Sequence, residues 1–322
     1  MPESSLLRHI AARSADLPSL FGDVVLGPGD DCAIIATPSG DQLLITVDQL
    51  VEGRHWNADA IGNGKSASIE EEARDGSPHR PPAIALAARK AIARSVSDIA
   101  AMGGRPCWGL ATGLLPDGFE HGDDLFDAMA AWARRWNCPL IGGDIAFGPG
   151  PLSLTVTVAG RMDPGVSPVL RRGATPGDAL YLTGPIGGSY QSNRHLLFQP
   201  RTEAGAALAA SGRARAMIDL SDGLGRDAAR VGEASGVRLV IDTDKLPINE
   251  NCAGWLDAVS EGEDYELLVA LSPGDAVATA PALLGPIGRA EEGTPGAVFI
   301  DPYGESHDAA NLGWDHGAQT RE

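Results

Sequence analysis

Acidic residues stand beside glycines, or at the ends of apolar runs, in six segments of this 322-residue chain. Clustered carboxylates repel one another, so a fold that brings such segments together must neutralise them. Several hard divalent cations are the usual partners, and a polyphosphate is the usual reason for binding several of them. The pattern therefore indicates a metal and polyphosphate site, provided that the segments converge. The six are Gly29-Asp30-Asp31, Thr46-Val47-Asp48, Ser97-Asp98, Gly142-Gly143-Asp144, Asp219-Leu220-Ser221-Asp222-Gly223 and Gly262-Glu263-Asp264.

The length and composition indicate a globular protein of two domains. Hydrophobic residues make up 43% of the chain, and 322 residues are enough for two domains that each bury a core. The formal net charge of −18 argues against nucleic acid and against an anionic membrane surface as partners. Solubility explains most of this charge, and a metal site would explain a handful of the carboxylates.

Cysteine usage and hydropathy predict a cytoplasmic protein. Cys32, Cys107, Cys138 and Cys252 are widely spaced and form no C-x-x-C pair, which argues against a zinc site or a disulfide framework. The N-terminus has no long apolar segment, and no run approaches the ~18 apolar residues that a membrane-spanning helix needs. A reducing compartment and a soluble chain are the expectation.

Predicted strands and helices alternate along both halves of the chain, which is typical of an α/β fold with two domains. We place the boundary in the segment Met162–Val169, which contains two prolines and a glycine, giving domains of residues 1–162 and 163–322. The polar stretch 57–82 is predicted to be a loop or an insert. Strands are predicted at 42–51, 107–115, 138–143, 152–162, 179–184, 214–221, 237–242, 265–271 and 296–301, and helices at 83–102, 124–136, 203–210 and 222–234.

Gly64-Lys65-Ser66 resembles the end of a phosphate-binding P-loop, but the rest of that motif is missing. The glycine that it requires five residues earlier is Asp59, and the flanks are polar rather than strand and helix. No G-x-S-x-G elbow, H-E-x-x-H or complete G-x-G-x-x-G occurs either. Serine-hydrolase, zinc-protease and Rossmann functions therefore have little support.

Taken one at a time, most of the polar residues have a simpler interpretation. An aspartate beside a glycine is more often an N-cap or turn residue, as Asp222 illustrates. Asp98 differs, because it lies inside an Ala-rich predicted helix where aspartate is a mediocre helix former and a buried carboxylate needs a partner. His55 is as easily an ordinary core or surface histidine, and Arg171 a solvated surface charge. Only the joint occurrence of the segments favours a metal site.

Seven segments of the chain form a specific combination when they are taken in order. They are GPGDDCAII (27–35), LLITVDQLVEGRHW (43–56), KAIARSVSDIAAMGGRP (90–106), IGGD (141–144), RRGATPGDALYLTGPIG (171–187), AMIDLSDGL (216–224) and GEDYELL (262–268). Together they cover most of the chain and resemble thiamine-monophosphate kinases, within the aminoimidazole-ribonucleotide synthetase-like superfamily of ATP-utilising enzymes. The resemblance implies a PurM-like architecture, with an N-terminal domain that binds ATP and Mg²⁺ and dimerises, and a C-terminal α/β domain that completes the active site.

The resemblance also implies roles for individual residues. The implied metal ligands are Asp31, Thr46, Asp48, Asp98, Asp144, Asp219 and Asp222. The implied ATP contacts are Gly143, Asp144, Arg171 and Ser221. The implied acceptor contacts are His55 and Glu263, with Trp314 offering an aromatic face. Catalysis is expected to depend most on Asp48, Asp144, Asp222 and Arg171.

The implied reaction is the direct in-line transfer of the γ-phosphoryl group of ATP to thiamine monophosphate, which gives thiamine diphosphate. The acceptor is already an anionic phosphate, so it needs little general-base help, and no catalytic base is predicted. Several Mg²⁺ ions would screen the repulsion between the two anions and orient the attack, and Arg171 would neutralise phosphate charge. The implied partners are ATP, thiamine monophosphate and a second copy of the chain.

Two alternatives stay open, because the chain departs from the family pattern at several positions. One is a related enzyme that acts on another acceptor, and the other is a nucleotide-binding regulatory protein that has lost its acceptor. The C-terminal sequence GAQTRE disfavours a hydrogenase-maturation-like dehydratase, which ends in a reactive cysteine. The departures are Ile145-Ala146-Phe147 after the Gly-Gly-Asp, Gly188 in place of an acidic residue, and Gly317 in place of an aromatic residue.

Overall fold

The protein, seen in a computed structural model that describes residues 3–57, 82–274 and 283–314, is built on two mixed β-sheets. Nearly all of the predicted insert 57–82, including Gly64-Lys65-Ser66, lies outside the described residues, as does Gly317. The first half contains α1 (Glu3–Arg13), α2 (Leu17–Leu20), β1 (Val24–Leu26), β2 (Ala33–Ala36), β3 (Gln42–Val51), α3 (Pro82–Ala101), β4 (Arg105–Pro116), α4 (Gly122–Arg135), β5 (Leu140–Gly148) and β6 (Ser153–Arg161).

The first sheet has six strands in the order β1-β2-β3-β6-β4-β5, all antiparallel except the pair β4 and β5. Its strands alternate between a buried and an open face, as in β6, where Leu154, Val156 and Val158 are buried and the residues between them are not. Helices α3 and α4 cover the buried face. Eight of the 20 residues of α3 are alanines, whose small side chains let this helix pack close to the sheet.

The second half contains β7 (Ala179–Leu182), α5 (Arg194–Leu197), α6 (Thr202–Ala210), β8 (Ala214–Asp219), α7 (Leu224–Ser235), β9 (Arg238–Asp242), α8 (Trp255–Ser260), β10 (Leu267–Leu271), β11 (Leu284–Glu291), β12 (Gly296–Ile300) and β13 (Ser306–Asp308). Its seven strands run in the order β13-β12-β9-β11-β7-β10-β8, with only β9 and β12 parallel. Helices α7 and α8 pack on this sheet.

The two halves meet along α3. Ala101 at the end of this helix packs with Leu208 of α6 and Met217 of β8 in a shared apolar cluster. Gly103, which follows the helix with a φ of 76°, leaves no room for a side chain, because an added Cβ would lie 2.3 Å from the Cβ of Ala209. The helix therefore belongs to the first sheet along its length and touches the second sheet at its C-terminal end.

The structure confirms the predicted α/β class with two units, and most predicted elements match to within two residues. The prediction for β5 was wrong at its end, because the strand runs to Gly148 rather than residue 143. This is an exposed edge strand, so it lacks the alternating burial that marks a strand in sequence. Strand β11 was not predicted, since its glycines and Pro286 argue against a strand. None of the described helices is long and apolar enough to cross a membrane.

Candidate active site

Three buried carboxylates converge where the two halves meet. One oxygen from each of Asp31, Asp98 and Asp219 lies within 4.8 Å of the others. Asp31 precedes β2, Asp98 lies on α3 and Asp219 ends β8, so three separate elements supply the cluster. Four of the six acidic segments thus meet here, since Asp48 of β3 adds to the electrostatic repulsion on Asp98. We call Asp31, Asp98 and Asp219 the carboxylate cluster.

The carboxylate cluster has more negative charge than its neighbours neutralise. Burial raises the pKa of Asp98 well above its ordinary value, and repulsion from Asp48, Asp219 and Asp31 raises it further. Burial likewise raises the pKa of Asp219, with repulsion from Asp31 next in size. Hydroxyl groups supply some compensation, because Thr46 donates a hydrogen bond to Asp98 and Ser97 donates one of 2.6 Å to Asp219.

The carboxylate cluster fits a hard divalent cation. Within the described residues, the Oδ2 atom of Asp31 is buried and has no hydrogen-bond partner. Buried carboxylate oxygens without partners are costly, and clustered oxygen ligands are what Mg²⁺ and Ca²⁺ bind. The orphaned oxygen and the raised pKa values both indicate that a cation belongs among these three side chains.

Arg171 packs against this cluster, with only 20% of its side chain exposed. Its Nη2 atom lies 2.6 Å from Oδ1 of Asp31, and its backbone N–H donates to Asp30 at 3.1 Å. Burial lowers the pKa of Arg171, but the charges of Asp31 and Asp30 outweigh burial and raise it above its ordinary value. The simpler interpretation of Arg171 as a solvated surface charge is therefore wrong, since the side chain ties the second half of the chain to the loop before β2.

A second group of charged residues lies about two helical turns before Asp98 on α3. Lys90 is fully buried, and its Nζ atom lies 2.7 Å from Glu263, 2.6 Å from the carbonyl oxygen of His55 and 2.9 Å from Nδ1 of His195. Burial alone would raise the pKa of Glu263, but the charges of Lys90 and Arg94 outweigh burial and lower it to about 2. This acidic residue is therefore held ionised by cations of the protein itself.

The segment that carries Glu263 has an unusual backbone. Glu263 and Tyr265 have φ angles of 62° and 53°, in the left-handed region that non-glycine residues rarely occupy. The backbone N–H of Glu263 donates to the carbonyl oxygen of Ser221 at 2.8 Å, and that of Tyr265 donates to Leu220 at 2.9 Å. Strained backbone of this kind persists where surrounding contacts hold it and is concentrated at functional sites. The backbone hydrogen bonds thus hold this strained segment in place and fix Glu263 beside Ser221.

Between the two groups lies a pocket that combines charged and aromatic side chains. His55 is buried with its Nδ1 atom accepting the N–H of Val51 at 2.9 Å, and the backbone N–H of Trp314 donates to Asp222 at 2.8 Å. An anionic ligand with a ring system is the kind of molecule that such a lining suits. The pocket is lined by Arg54, His55, Arg94, Tyr190, Ser221, Asp222, Glu263, Tyr265 and Trp314.

Asp222 lies at this pocket but outside the carboxylate cluster. Its carboxylate accepts a 2.6 Å ion-pair contact from Arg230, which also binds Asp227 at 2.7 Å. Helix α7 begins at Leu224 and its N-cap residue is Gly223, so Asp222 stands one position before the cap. The interpretation of Asp222 as an N-cap residue is therefore wrong.

Asp144 and Gly143 are not brought to the carboxylate cluster within this chain. Gly143 shares a row of the first sheet with Asp48, but three strand spacings of about 4.8 Å separate them, or roughly 14 Å. Asp144 is the next residue, so it points to the opposite face and is exposed. The packing of the strands requires a glycine at position 143, because an added Cβ would lie 1.8 Å from the carbonyl oxygen of Ala111.

Sequence reasoning missed several residues of the site. Lys90 and Arg94 escaped attention although they stand eight and four residues before Asp98 in an Ala-rich helix, a spacing that places all three on one face. That regular spacing of charge was the available signal. Tyr190 and Tyr265 gave no such signal, because only the tertiary fold brings them to the pocket.

Family comparisons agree with this fold and site. Residues 29–162 match the family model described as AIR synthase related protein, N-terminal domain. Residues 175–293 match the corresponding C-terminal domain model. The chain therefore belongs to the AIR synthase related proteins, in which a pair of α/β domains forms the common architecture.

Individual relatives narrow this class. The chain is 32% identical over 285 residues to the thiamine-monophosphate kinase of Rhodopirellula baltica, covering 85% of this chain and 83% of that protein. It is 34% identical over 277 residues to the Escherichia coli K12 thiamine-monophosphate kinase, covering 76% of each. AaThiL complexed with AMPPCP and TMP superposes with a TM-score of 0.75 at 26% identity, over 98% of this chain and 97% of that one. The chain belongs to the thiamine-monophosphate kinase family.

Proposed function

We propose that this protein transfers the γ-phosphoryl group of ATP to thiamine monophosphate, giving thiamine diphosphate and ADP. The observation that carries the proposal is the placement of the carboxylate cluster next to a pocket lined by Glu263, His55 and Trp314. One end suits metal-bound polyphosphate, and the other suits a phosphorylated ring compound. Family membership and the AMPPCP and TMP bound in AaThiL support the same pair of substrates.

The transfer is balanced without any further reactant. A phosphate oxygen of thiamine monophosphate forms a bond to the γ-phosphorus of ATP, and the bond from that phosphorus to the β–γ bridging oxygen breaks. ADP leaves with that oxygen, and its charge needs neutralising rather than protonating. The acceptor oxygen is already anionic, so the protein needs no general base and serves to position the two anions.

Asp31, Asp98 and Asp219 are the residues that would hold Mg²⁺, with Asp48 and Thr46 beside them. When bound there, Mg²⁺ would neutralise phosphate charge and fix the orientation of the polyphosphate. The side chains of this chain do the rest: Arg171 holds Asp31 in place, and Ser97 orients Asp219. Glu263 and His55 line the acceptor side of the pocket, with Trp314 as its aromatic wall, and Ser221 and Asp222 lie between the two ends.

A mass-spectrometric assay tests the proposal directly. Purified protein is incubated with ATP, Mg²⁺ and thiamine monophosphate, and parallel samples omit one component each. We expect thiamine diphosphate and ADP in equal amounts, and neither product without the acceptor. ADP that forms only with a different phosphorylated acceptor would indicate a related enzyme, and ATP binding without turnover on any acceptor would indicate a regulatory protein.

We also propose that the protein is a homodimer that forms through the first sheet, and that it works in the cytoplasm. Large apolar side chains are exposed on this sheet, including Val47 at 61%, Ile145 at 63% and Phe147 at 63%, together with Leu110 and Leu114. Val47, Leu110 and Leu114 share the open face of the sheet, whereas Ile145 and Phe147 lie on the edge strand β5 and belong to its other face. An exposed apolar patch such as the one on the open face is typical of an interface. All four cysteines are free, in keeping with a reducing compartment.

A homodimer would also give Asp144 a place in the function. This residue lies on the exposed edge strand and pairs with Thr112, so it is on the open face of the sheet and would stand at the interface of such a dimer, where it would serve the other chain's site. Light scattering of the wild type should give twice the chain mass of 33.3 kDa, and Leu110→Asp on the same face should give the monomer. A wild type that stays monomeric at micromolar concentration would contradict this proposal.

A further inference from the structure

We propose that Arg94 binds the phosphate group of the acceptor and thereby selects a phosphorylated acceptor over the same molecule without phosphate. The inference deepens the proposed function and rests on it for the identity of the acceptor. The chemistry it names is more general, namely a phosphate monoester seated between the carboxylate cluster and Glu263. Arg94 stands at that place by virtue of helix geometry, burial and unpaired donors.

Helix geometry places Arg94 midway between the two ends of the site. Lys90, Arg94 and Asp98 are spaced by four residues on α3, so each step turns only about 40° and rises about 6 Å. Lys90 binds Glu263 at the acceptor end, and Asp98 belongs to the carboxylate cluster at the metal end. The acceptor phosphate, which attacks the γ-phosphorus at the metal end, must come to lie between them, and Arg94 is the cation at that position.

The guanidinium of Arg94 has donors to spare. Its Nε and Nη1 atoms are buried and have no hydrogen-bond partner among the described residues. The only hydrogen bond that it makes within that part of the chain is a long one, 3.3 Å from Nη2 to Asp48, and Glu263 lies 3.9 Å from Nη1. Buried donors without acceptors are costly, so an oxygen ligand is expected at this point.

The pocket gives that ligand access and defines its charge. Arg94 lines the pocket, although only 11% of its side chain is exposed. A planar guanidinium matches two phosphate oxygens, and its hydrogen bonds to an anion are about twice as strong as neutral ones. Lys90 cannot take this role, because Glu263 and the carbonyl oxygen of His55 already hold it.

The other explanation is that Arg94 only neutralises its acidic neighbours. In that case its removal would perturb the whole site, including the carboxylate cluster and ATP. A phosphate-binding role instead confines the effect to ligands that carry the acceptor phosphate. Thiamine, which has the same rings and no phosphate, separates the two explanations.

The test compares Arg94→Met, Arg94→Lys and the matched surface variant Arg134→Met, because Arg134 is exposed on α4. For each we would measure KM for thiamine monophosphate, KM for ATP and the inhibition constant of thiamine. For Arg94→Met we expect KM for thiamine monophosphate to rise roughly 10- to 100-fold, as for loss of a charge-assisted hydrogen bond. The other two constants should stay within about twofold, and Arg94→Lys should recover part of the loss because it keeps the charge.

Two outcomes would overturn the inference: an unchanged KM for thiamine monophosphate in Arg94→Met, or a parallel rise in all three constants. If the wild type does not phosphorylate thiamine monophosphate, the proposed function fails, and the inference is decided by inorganic phosphate. Phosphate binding to the wild type, measured calorimetrically, should then be lost in Arg94→Met and kept in Arg134→Met. Equal phosphate binding by wild type and Arg94→Met would refute the role of Arg94 independently of the acceptor.

Discussion

The metal end and the acceptor end of the site both contain buried carboxylates, but the pKa values of these carboxylates are shifted in opposite directions. At the metal end, burial and mutual repulsion raise the pKa values of Asp98 and Asp219. At the acceptor end, Lys90 and Arg94 overcome the effect of burial and lower the pKa of Glu263 to about 2. This difference supports the proposal that a cation from outside completes the metal end, whereas the acceptor end carries its own cations.

Because of that difference, the two ends would have separate roles in the proposed reaction. The metal end is unfavourable until a cation occupies it, so its folding energy is linked to metal and nucleotide. The negative charge of Glu263 at the acceptor end is balanced without ligand, because Lys90 and Arg94 stand beside it. If this division is correct, variants at the metal end should change catalysis and variants at the acceptor end should change the stability of the fold.

The largest effect is expected from Asp219→Asn. We expect kcat to fall more than a thousandfold, because the variant removes one ligand charge from a cluster of three. Thermal stability without metal should instead rise or stay unchanged, since a buried repulsive charge is lost. The measurements are kcat with saturating ATP and Mg²⁺, and Tm in chelator.

The matched control is Asp242→Asn, which removes an aspartate that ends β9 in the same sheet and pairs with the half-exposed Lys245. It should leave kcat unchanged. Near-normal kcat in Asp219→Asn, or a large loss of stability in chelator, would contradict the view of the metal end as an uncompensated cluster.

The acceptor end should respond in the opposite sense, through stability. Lys90→Met leaves Glu263 buried without its principal cation, and breaking a buried ion pair in this way costs about 3 kcal/mol of unfolding free energy. Urea denaturation measures the loss. The double variant Lys90→Met with Glu263→Gln should regain much of it, because no buried charge is then left unpaired. A loss that is the same in the single and double variants would show that packing, rather than charge, explains it.

The sequence predicted the metal end better than the acceptor end, and the reason is local. Each member of the carboxylate cluster stands at a strand end, a glycine turn or a helix position that is visible in one short segment. Lys90 and Glu263 are far apart in the chain, so only the tertiary fold reveals that they form a pair. Asp144 is the opposite case. Its motif is clear in the sequence, but its strand lies at the far edge of the sheet, so the fold of one chain does not bring it to the carboxylate cluster.

The fold was predictable to a similar degree. Strand β3 was predicted to the residue because QLLITVDQLV (42–51) has the composition of a buried strand. Strands β1 and β2 were missed, since three or four residues give too short a pattern. The strands that were missed or misplaced are therefore those that are short, exposed at an edge or rich in turn residues, because their hydropathy shows no clear pattern.

The pH dependence of stability in the metal-free protein should separate the two ends by sign. Glu263 has a folded pKa of about 2 against an ordinary value of 4.5, so the unfolded chain binds its proton first as the pH falls. Its contribution is complete above the ordinary value and declines below it, by about 1.4 kcal/mol at one unit lower. Asp98 and Asp219 have raised pKa values, so the folded chain keeps their protons longer and stability declines as the pH rises above 3.8.

The experiment follows urea denaturation against pH for the wild type, Glu263→Gln and Asp219→Asn, all in chelator. In Glu263→Gln, the decline in unfolding free energy at acid pH should disappear. In Asp219→Asn, part of the decline in unfolding free energy at higher pH should disappear. Saturating Mg²⁺ with a non-hydrolysable ATP analogue should abolish the second decline and leave the first. Identical pH profiles in all three proteins would mean that neither end governs stability.

The smallest effect is expected at the aromatic wall of the acceptor end. Trp314 lines the pocket, and its backbone N–H is fixed by Asp222, so its position does not depend on the ligand. Trp314→Ala should raise KM for thiamine monophosphate by about 3- to 10-fold, as for loss of one aromatic contact. KM for ATP should not change, because the metal end is untouched. Trp314→Phe should keep most of the affinity, since a phenyl ring preserves the stacking surface. An equal rise for Phe and Ala would show that the indole N–H, rather than its face, recognises the acceptor.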